Sequence, residues 1–294
     1  MAEIRREAWA LALHGGAGPV RSRSYDQEEA HMRGVLEQGA ALLDGGASAL
    51  DVATEMVAAL EACGLHVAGK GASPNAAGVH ELDASIMDGA ARKAGAVAAL
   101  SGFVSPVRAA RRVMEATPHV LLVGEGARAF CLSEGLERVT DPAAYYIPAV
   151  SRIAAPGDLA HGTVGAVVKD KAGRLAAATS TGGLLGKMPG RVGDSPLIGA
   201  GCWADERVAV SCTGQGEYFM RAAVAVDVSA RIRYGGQSLA AAAAGALADM
   251  EVQGGDGGLI AIDSAGNVAA PFVSEGMKRA IATASGRFEV KTFR

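Results

Sequence analysis

Aromatic residues are scarce in this sequence: phenylalanine, tryptophan and tyrosine together make up 4% of it. So few rings argue against stacking platforms for bases. A basic block is also missing. The 28 Lys and Arg face 31 Asp and Glu, a formal net charge of −3, which leaves no electrostatic footprint for nucleic acid or an anionic membrane. The four cysteines, Cys63, Cys131, Cys202 and Cys212, are widely spaced, form neither a C-x-x-C pair nor a zinc pattern with the six histidines and read as reduced, mostly structural thiols. No run reaches the ~18 apolar residues of a membrane span. Met1 to Arg6 carries charges of both signs and no apolar core of a signal segment. The expectation is a cytoplasmic protein with a small-molecule partner, and no nucleic acid or membrane.

Half of the 294 residues are hydrophobic and 20% are charged, which excludes a disordered chain and supplies a sizeable core. The length allows one large domain or two ordinary ones. Forty glycines, about twice the usual ~7%, follow no triplet period and must serve turns and close approaches.

An apolar run from Ala8 to Leu13 reads as a buried strand that breaks into the loop His14-Gly15-Gly16-Ala17-Gly18. Helical spacing follows over roughly Tyr25 to Asp44 and from Ser48 to about Glu61, then strands over His80–Met87 and Ala94–Leu100. Pro106–Thr117 and Glu125–Glu134 have helical patterns. Between Thr140 and Gly162, Pro142, Pro148 and Pro156 interrupt any period, and this stretch is the best linker candidate.

After it, Thr163–Val168, a polar turn through Lys169–Arg174 and Leu175–Thr179 form a strong hairpin signature. Val208–Cys212 reads as a strand, Gly216 to about Tyr234 and Ser238–Met250 as helices, and Leu259–Ile262 with Val268–Val273 as a last hairpin. Hairpins need antiparallel neighbours, so a layered α+β arrangement is preferred over a single parallel sheet.

The glycine loop after His14 lacks G-x-G-x-x-G spacing, which disfavours a dinucleotide site. It reads as a turn with one packed histidine, or as a place where small residues let backbone approach a catalytic group. Thr163 opens the hairpin, and Thr179-Ser180-Thr181 returns on its partner strand, within reach of the first hydroxyl. Arg191 and Asp194 stand three apart in a glycine-rich loop, and Thr213-Gly214-Gln215-Gly216-Glu217 ends a buried strand.

Gly162-Thr163-Val164-Gly165-Ala166-Val167, Ala178–Gly183, Pro189–Pro196 and Ser211–Glu217 resemble the plant-type asparaginases, also called isoaspartyl peptidases. The resemblance extends to His14–Gly18, Glu81–Gly89 and Gly257–Asp263 and runs from about residue 10 to 280. It implies a four-layer αββα sandwich of the N-terminal nucleophile hydrolase type. Residues 1–294 would form one domain, cut by itself between Gly162 and Thr163 into segments 1–162 and 163–294, with two cleaved units dimerised.

The chemistry is coherent. A peptide nitrogen is not basic, but a freed α-amino group has a pKa of about 7.7 to 8 and can take the proton of the hydroxyl on its own residue. The resemblance implies Thr163 as nucleophile, Thr181 as its hydroxyl neighbour, and Thr213 Oγ with the Gly214 N–H as oxyanion hole, a position favoured by the start of a helix. It implies Arg191 for the substrate α-carboxylate, and Asp194 with the Gly216 backbone for the α-ammonium. A β-linked aspartyl group, from asparagine or an isoaspartyl dipeptide, would then form a β-aspartyl ester on Thr163 and leave as L-aspartate.

No cofactor is implied for catalysis. The segment 60–71 is similar to the family's sodium-binding loop, and by position the carbonyls of Leu60, Glu61, Cys63, His66, Ala68 and Lys70 would surround a structural sodium ion. Val67 and Val273 stand where the family usually carries Asn, so recognition on the leaving-group side is expected to differ, with weaker action on asparagine than on dipeptides. Two further readings are compatible with the motifs: a dipeptidase for β-aspartyl-arginine from a storage polymer, and an uncleaved, non-catalytic binding protein of the same fold.

Overall fold

The computed structural model describes residues 8–149 and 162–294. Met1–Arg6 and most of the predicted linker's second half lie outside them. Chain order begins with β1 (Ala10–Ala17), α1 (Asp26–Asp44), α2 (Ala49–Ala62), β2 (Leu82–Asp88), β3 (Lys93–Leu100), α3 (Pro106–Ala116), β4 (Leu121–Val123), α4 (Gly124–Ser133) and α5 (Pro142–Tyr145). It continues with β5 (Val164–Lys169), β6 (Leu175–Thr181), β7 (Cys202–Ala204), β8 (Val208–Gly214), α6 (Gly216–Ala222), α7 (Val224–Arg233) and α8 (Leu239–Val252). The chain closes with β9 (Gly257–Asp263), β10 (Val268–Ala269), β11 (Met277–Thr283) and β12 (Phe288–Lys291).

Among the described residues the strands form two sheets, one ordered β12-β11-β1-β5-β6-β2-β3-β4 and one ordered β10-β9-β8-β7. Only the β3–β4 pair is parallel. Three cores separate four layers. Leu11, Leu13, Val164, Ala166 and Val168 pack outward under Met32, Leu36, Val52, Met56 and Leu60 of α1 and α2. The alternate residues Ala10, Ala12, Val167 and Ala177 meet Ala209, Ile260 and Ile262 of the second sheet. Val208, Val210, Cys212 and Leu259 point away from that interface against Phe219, Val228, Leu247 and Met250. A strand buried on both faces reads as a continuous apolar run, which is why β1 and β5 show no polar alternation. The result is the expected αββα sandwich.

Local chemistry sets the boundaries. Ser48 caps α2 by accepting the Asp51 N–H at 3.1 Å, and its hydroxyl donates to the Asp51 carboxylate at 2.6 Å. The buried Glu61 carboxylate accepts the Val107 N–H at 2.9 Å and the Ser105 hydroxyl at 2.5 Å, closing the start of α3. The helix expected over Gly216–Tyr234 is broken at Ala223, whose φ is +48°. There the N–H groups of Ala225 and Val226 turn to the carbonyls of Ala200 and Gly199, at 3.1 and 2.9 Å. The strand expected over Val268–Val273 stops at Ala269, two residues before Pro271.

The head of the predicted linker is anchored. Asp141 caps α5 through the N–H groups of Ala143 and Ala144, Tyr146 stacks on His80 with ring centroids 3.9 Å apart, and Ile147 and Ala149 donate to the carbonyls of Lys70 and Gly71. Among the described residues no helix is long and apolar enough to cross a membrane.

Candidate active site

The β5–β6 hairpin is antiparallel with Val164 opposite Ser180, so the residue entering β5 lies beside the residue ending β6. Those residues are Thr163 and Thr181. Thr163 Oγ1 donates to Thr181 Oγ1 at 3.3 Å, and both side chains are buried. Thr181 Oγ1 also accepts the Gly183 N–H at 3.0 Å and donates to the Val67 carbonyl at 3.4 Å, while that carbonyl takes the Gly182 N–H at 2.7 Å. Thr179, on the same strand, is turned away toward the second sheet. Its hydroxyl lies 2.7 Å from Ser211 Oγ and 3.1 Å from the Gly201 carbonyl.

His14 anchors the back of this arrangement. Its Nδ1 lies 3.1 Å from the Thr163 carbonyl oxygen and its Nε2 lies 2.9 Å from Ser211 Oγ. A carbonyl only accepts, so Nδ1 carries the proton and Nε2 takes the Ser211 hydroxyl hydrogen. Complete burial brings the His14 pKa down to about 3, against a smaller opposing pull from the Thr163 carbonyl. The imidazole is neutral and works as a fixed dipolar spacer. Room for it exists because residue 165 is glycine: a Cβ there would overlap Ser211 Oγ and His14 Nε2.

The backbone around Gly162 is similarly tight. A Cβ on Gly162 would come 2.6 Å from Val67 Cβ, and one on Gly16, at φ +106°, would come 2.8 Å from Gly162 Cα. The glycine loop after His14 therefore lets backbone pass directly over Gly162, and Val67 closes the other side.

Gly162, Thr163, Thr181, Arg191, Asp194, Gly214 and Gly216 line one cleft, together with Gly183, Leu184, Gly193 and Ser195. Thr213, the residue before Gly214, is fully buried and does not itself line the cleft; its Oγ1 accepts the Ala17 N–H at 3.1 Å, which leaves the hydroxyl proton to donate elsewhere. The opposite wall is charged. Arg191 donates from Nε and Nη2 to the two oxygens of Glu217, both at 2.8 Å. Asp194 is buried, its Oδ2 has no hydrogen-bond partner, and burial pushes its carboxyl up to about 7 despite the Arg191 charge. A Cβ on Gly216 would come 2.8 Å from Asp194 Oδ1, so only glycine gives that carboxylate its place. Behind the wall, Asp83 is raised to about 6 by burial, with the Lys187 ammonium pulling the other way. Glu81 fixes the turn before Arg191 by accepting the Gly190 N–H at 3.0 Å.

Three participants were missed from sequence: Glu217 as the resting partner of Arg191, the Val67 carbonyl as an acceptor for Thr181, and the His14–Ser211–Thr179 chain. Glu217 stood within a quoted motif, and its charge opposite an arginine was the available signal. The other two depend on contacts between distant segments.

The 60–71 segment begins in the last turn of α2 and ends in a tight turn at Gly69–Gly71. A Cβ on Gly69 would come 2.5 Å from the Glu61 carbonyl oxygen, and one on Gly71 would overlap that of His66, so these two oxygens face positions only glycine can hold. The Leu60, Ala68 and Lys70 carbonyls each accept one hydrogen bond, from Cys63 Sγ, the Gly71 N–H and the Ile147 N–H, and keep a second lone pair. Neutral oxygens of this kind fit a hard cation.

Comparison with known proteins agrees with the geometry. A family model described as asparaginase matches residues 7–292. An isoaspartyl peptidase of Salmonella typhimurium is 51% identical over 92% of this chain and 94% of its own length. One of Escherichia coli is 48% identical over 92% and 91%. A probable isoaspartyl peptidase/L-asparaginase of Arabidopsis thaliana is 38% identical over 96% and 98%.

Proposed function

The chain belongs to the asparaginase family, and on that premise we propose that it is a hydrolase that releases L-aspartate from β-aspartyl dipeptides and from L-asparagine after cutting itself at Gly162–Thr163. The observation that carries this reading is the single cleft in which Thr163 and its hydroxyl partner Thr181 face Arg191 and Asp194.

In the precursor, Thr163 Oγ adds to the Gly162 carbonyl carbon, the C–N bond breaks, and the acyl group passes from nitrogen to oxygen. Water then hydrolyses the ester, which leaves a carboxylate on Gly162 and an α-amine on Thr163. Packing of Val67 and of the Gly16 backbone against Gly162 supports a fixed approach for this step.

In the mature site the neutral α-amine takes the Thr163 hydroxyl proton as Oγ attacks the β-carbonyl carbon of the substrate. The oxyanion takes hydrogen bonds from the Gly214 N–H and Thr213 Oγ, and the proton passes to the departing amine or ammonia. Water resolves the ester by the same path. Arg191 holds the α-carboxylate through the edge that Glu217 leaves open, and the unpartnered Asp194 oxygen receives the α-ammonium. With both α-substituents fixed, only the side-chain carbonyl reaches Thr163.

The remaining parts of the proposal are a sodium ion at the carbonyl ring of Leu60, Glu61, Cys63, His66, Ala68 and Lys70, with a structural role, a dimer of cleaved units, and residence in the cytoplasm. Intact-mass spectrometry tests the core claim. Wild type should give fragments 1–162 and 163–294 that release aspartate from a β-aspartyl dipeptide, whereas Thr163→Ala should stay whole and inactive. An uncut wild type after prolonged incubation would sink the hydrolase mechanism.

A further inference from the structure

We propose that the side chains of His31, Cys63 and His66 form a binding site for a borderline transition-metal dication of the Zn²⁺ class. These are nitrogen and sulfur donors, distinct in chemistry from a ring of carbonyl oxygens. His31 comes from α1, Cys63 ends α2 and His66 lies in the loop that follows, and one donor atom from each falls within 4.8 Å of the other two.

Protonation and burial point to a ligand. His66 is fully buried, and its Nδ1 lies 3.2 Å from the Gly15 carbonyl oxygen. That acceptor fixes the proton on Nδ1 and leaves Nε2 as a bare lone pair, and Nε2 has no hydrogen-bond partner. A histidine tied through one nitrogen to a carbonyl, with the other presented inward, is the usual outer-shell arrangement of a metal ligand. The buried Nδ1 of His31 is also without a partner. Two such nitrogens beside a thiol are costly unless something occupies the space between them.

Cys63 is prepared as well. Its Sγ accepts the Leu65 N–H at 3.3 Å and sends its proton toward the Leu60 carbonyl at 3.2 Å. On binding, the S–H bond breaks, the sulfur–metal bond forms and one proton leaves to solvent. Bond lengths near 2.0–2.1 Å to nitrogen and 2.3 Å to sulfur set donors roughly 3.5 Å apart, so the cluster needs to close by no more than about 1.3 Å, and water takes the fourth position. The buried Lys278 ammonium acts on both Cys63 and His66. That charge opposes the dication, and burial disfavours the Cys63 thiolate more than the ammonium favours it, so binding should be weaker than at a four-ligand structural zinc site.

The test is a Co²⁺ titration of the reduced, chelator-treated full chain in sodium buffer. The expected result is one equivalent per chain with a thiolate-to-cobalt charge-transfer band that Zn²⁺ removes. The band should be absent in Cys63→Ser, require at least ~10-fold more Co²⁺ in His31→Gln, and be unchanged in Cys131→Ser. At one equivalent, Zn²⁺ should raise the Tm of wild type clearly more than that of His31→Gln, a readout that survives if Cys63→Ser fails to fold. No band at stoichiometric Co²⁺, or one that persists at full strength in Cys63→Ser and His31→Gln, overturns the proposal.

Discussion

On the Thr163 side of the cleft every polar group described is neutral and hydrogen-bonded to another part of the protein, whereas on the Arg191 side the groups are charged and incompletely paired. Thr163, Thr181, the Val67 carbonyl, His14, Ser211 and Thr179 form connected hydroxyl and imidazole contacts of 2.7 to 3.4 Å. Arg191 leans on a half-exposed Glu217, and Asp194 keeps an oxygen with no partner. The shell around Thr163 is therefore assembled without any ligand. The opposing wall is completed only by a ligand that brings both an anion and a cation, which is the chemistry of a free amino-acid end.

Changes on the two walls should fail in different ways. The largest effect is expected on the neutral side: Thr163→Ala should lower aspartate release by about 10⁴-fold or more, with uncut chain on a denaturing gel. Measurable turnover by the purified variant would break the comparison. On the charged side, Arg191→Lys keeps the charge and loses the two-pronged grip, so kcat/KM should fall by roughly 10- to 100-fold through KM while self-cleavage proceeds. Loss of cleavage in that variant would show that the walls are not separable.

The carboxyl of Asp194 sharpens the contrast through pH. With its pKa pushed up to about 7 by burial, it is protonated below that pH and loses its pull on an ammonium group. KM should then rise as pH falls through about 7, while buried His14, held near 3, contributes no ionisation between pH 5 and 8. The sign for stability follows from linkage. A carboxyl raised above its unfolded value near 4 favours the folded state fully at low pH, and that contribution is lost as pH rises through about 7. Asp194→Asn should accordingly have a higher Tm than wild type at pH 8, with the gap closing toward pH 5, and much weaker substrate binding. A Tm gap independent of pH would contradict the buried-charge account.

Smaller effects are expected at the seams. Glu217→Gln releases Arg191 from its resting partner and should change KM a few-fold, with less dependence on salt than wild type, since a half-exposed ion pair contributes little. Val67→Asn replaces the apolar wall beside Gly162 and should raise activity on asparagine relative to an isoaspartyl dipeptide by a few-fold. Equal ratios in the two proteins would remove Val67 from specificity.

Much of the scaffold was legible. Ser48 before a helical period, Pro106 at a helix start and the polar turn at 169–174 each act through local chemistry that one segment contains. The strand β11 was not found, because Lys278 and Arg279 interrupt a mostly apolar run that is buried throughout, and β12, four residues with exposed ends, pairs only with it. The break at Ala223 was equally hidden, since the carbonyls that cause it belong to Gly199 and Ala200. In the site, the hairpin alone indicated that Thr163 would meet a hydroxyl and the resemblance named Thr181, while the strand register places Thr181 there and turns Thr179 toward Ser211.

By itself the sequence determined the hairpin that carries Thr163, the glycine that precedes it, and the charged, glycine-rich loop that presents Arg191 and Asp194, because each follows from residue types a few positions apart. Only the tertiary structure decided that His14 is neutral, that Asp194 titrates near 7, that Glu217 holds Arg191, and that His31 meets Cys63 and His66. Those properties depend on burial and on partners from distant segments, and neither exists until the two sheets close on each other.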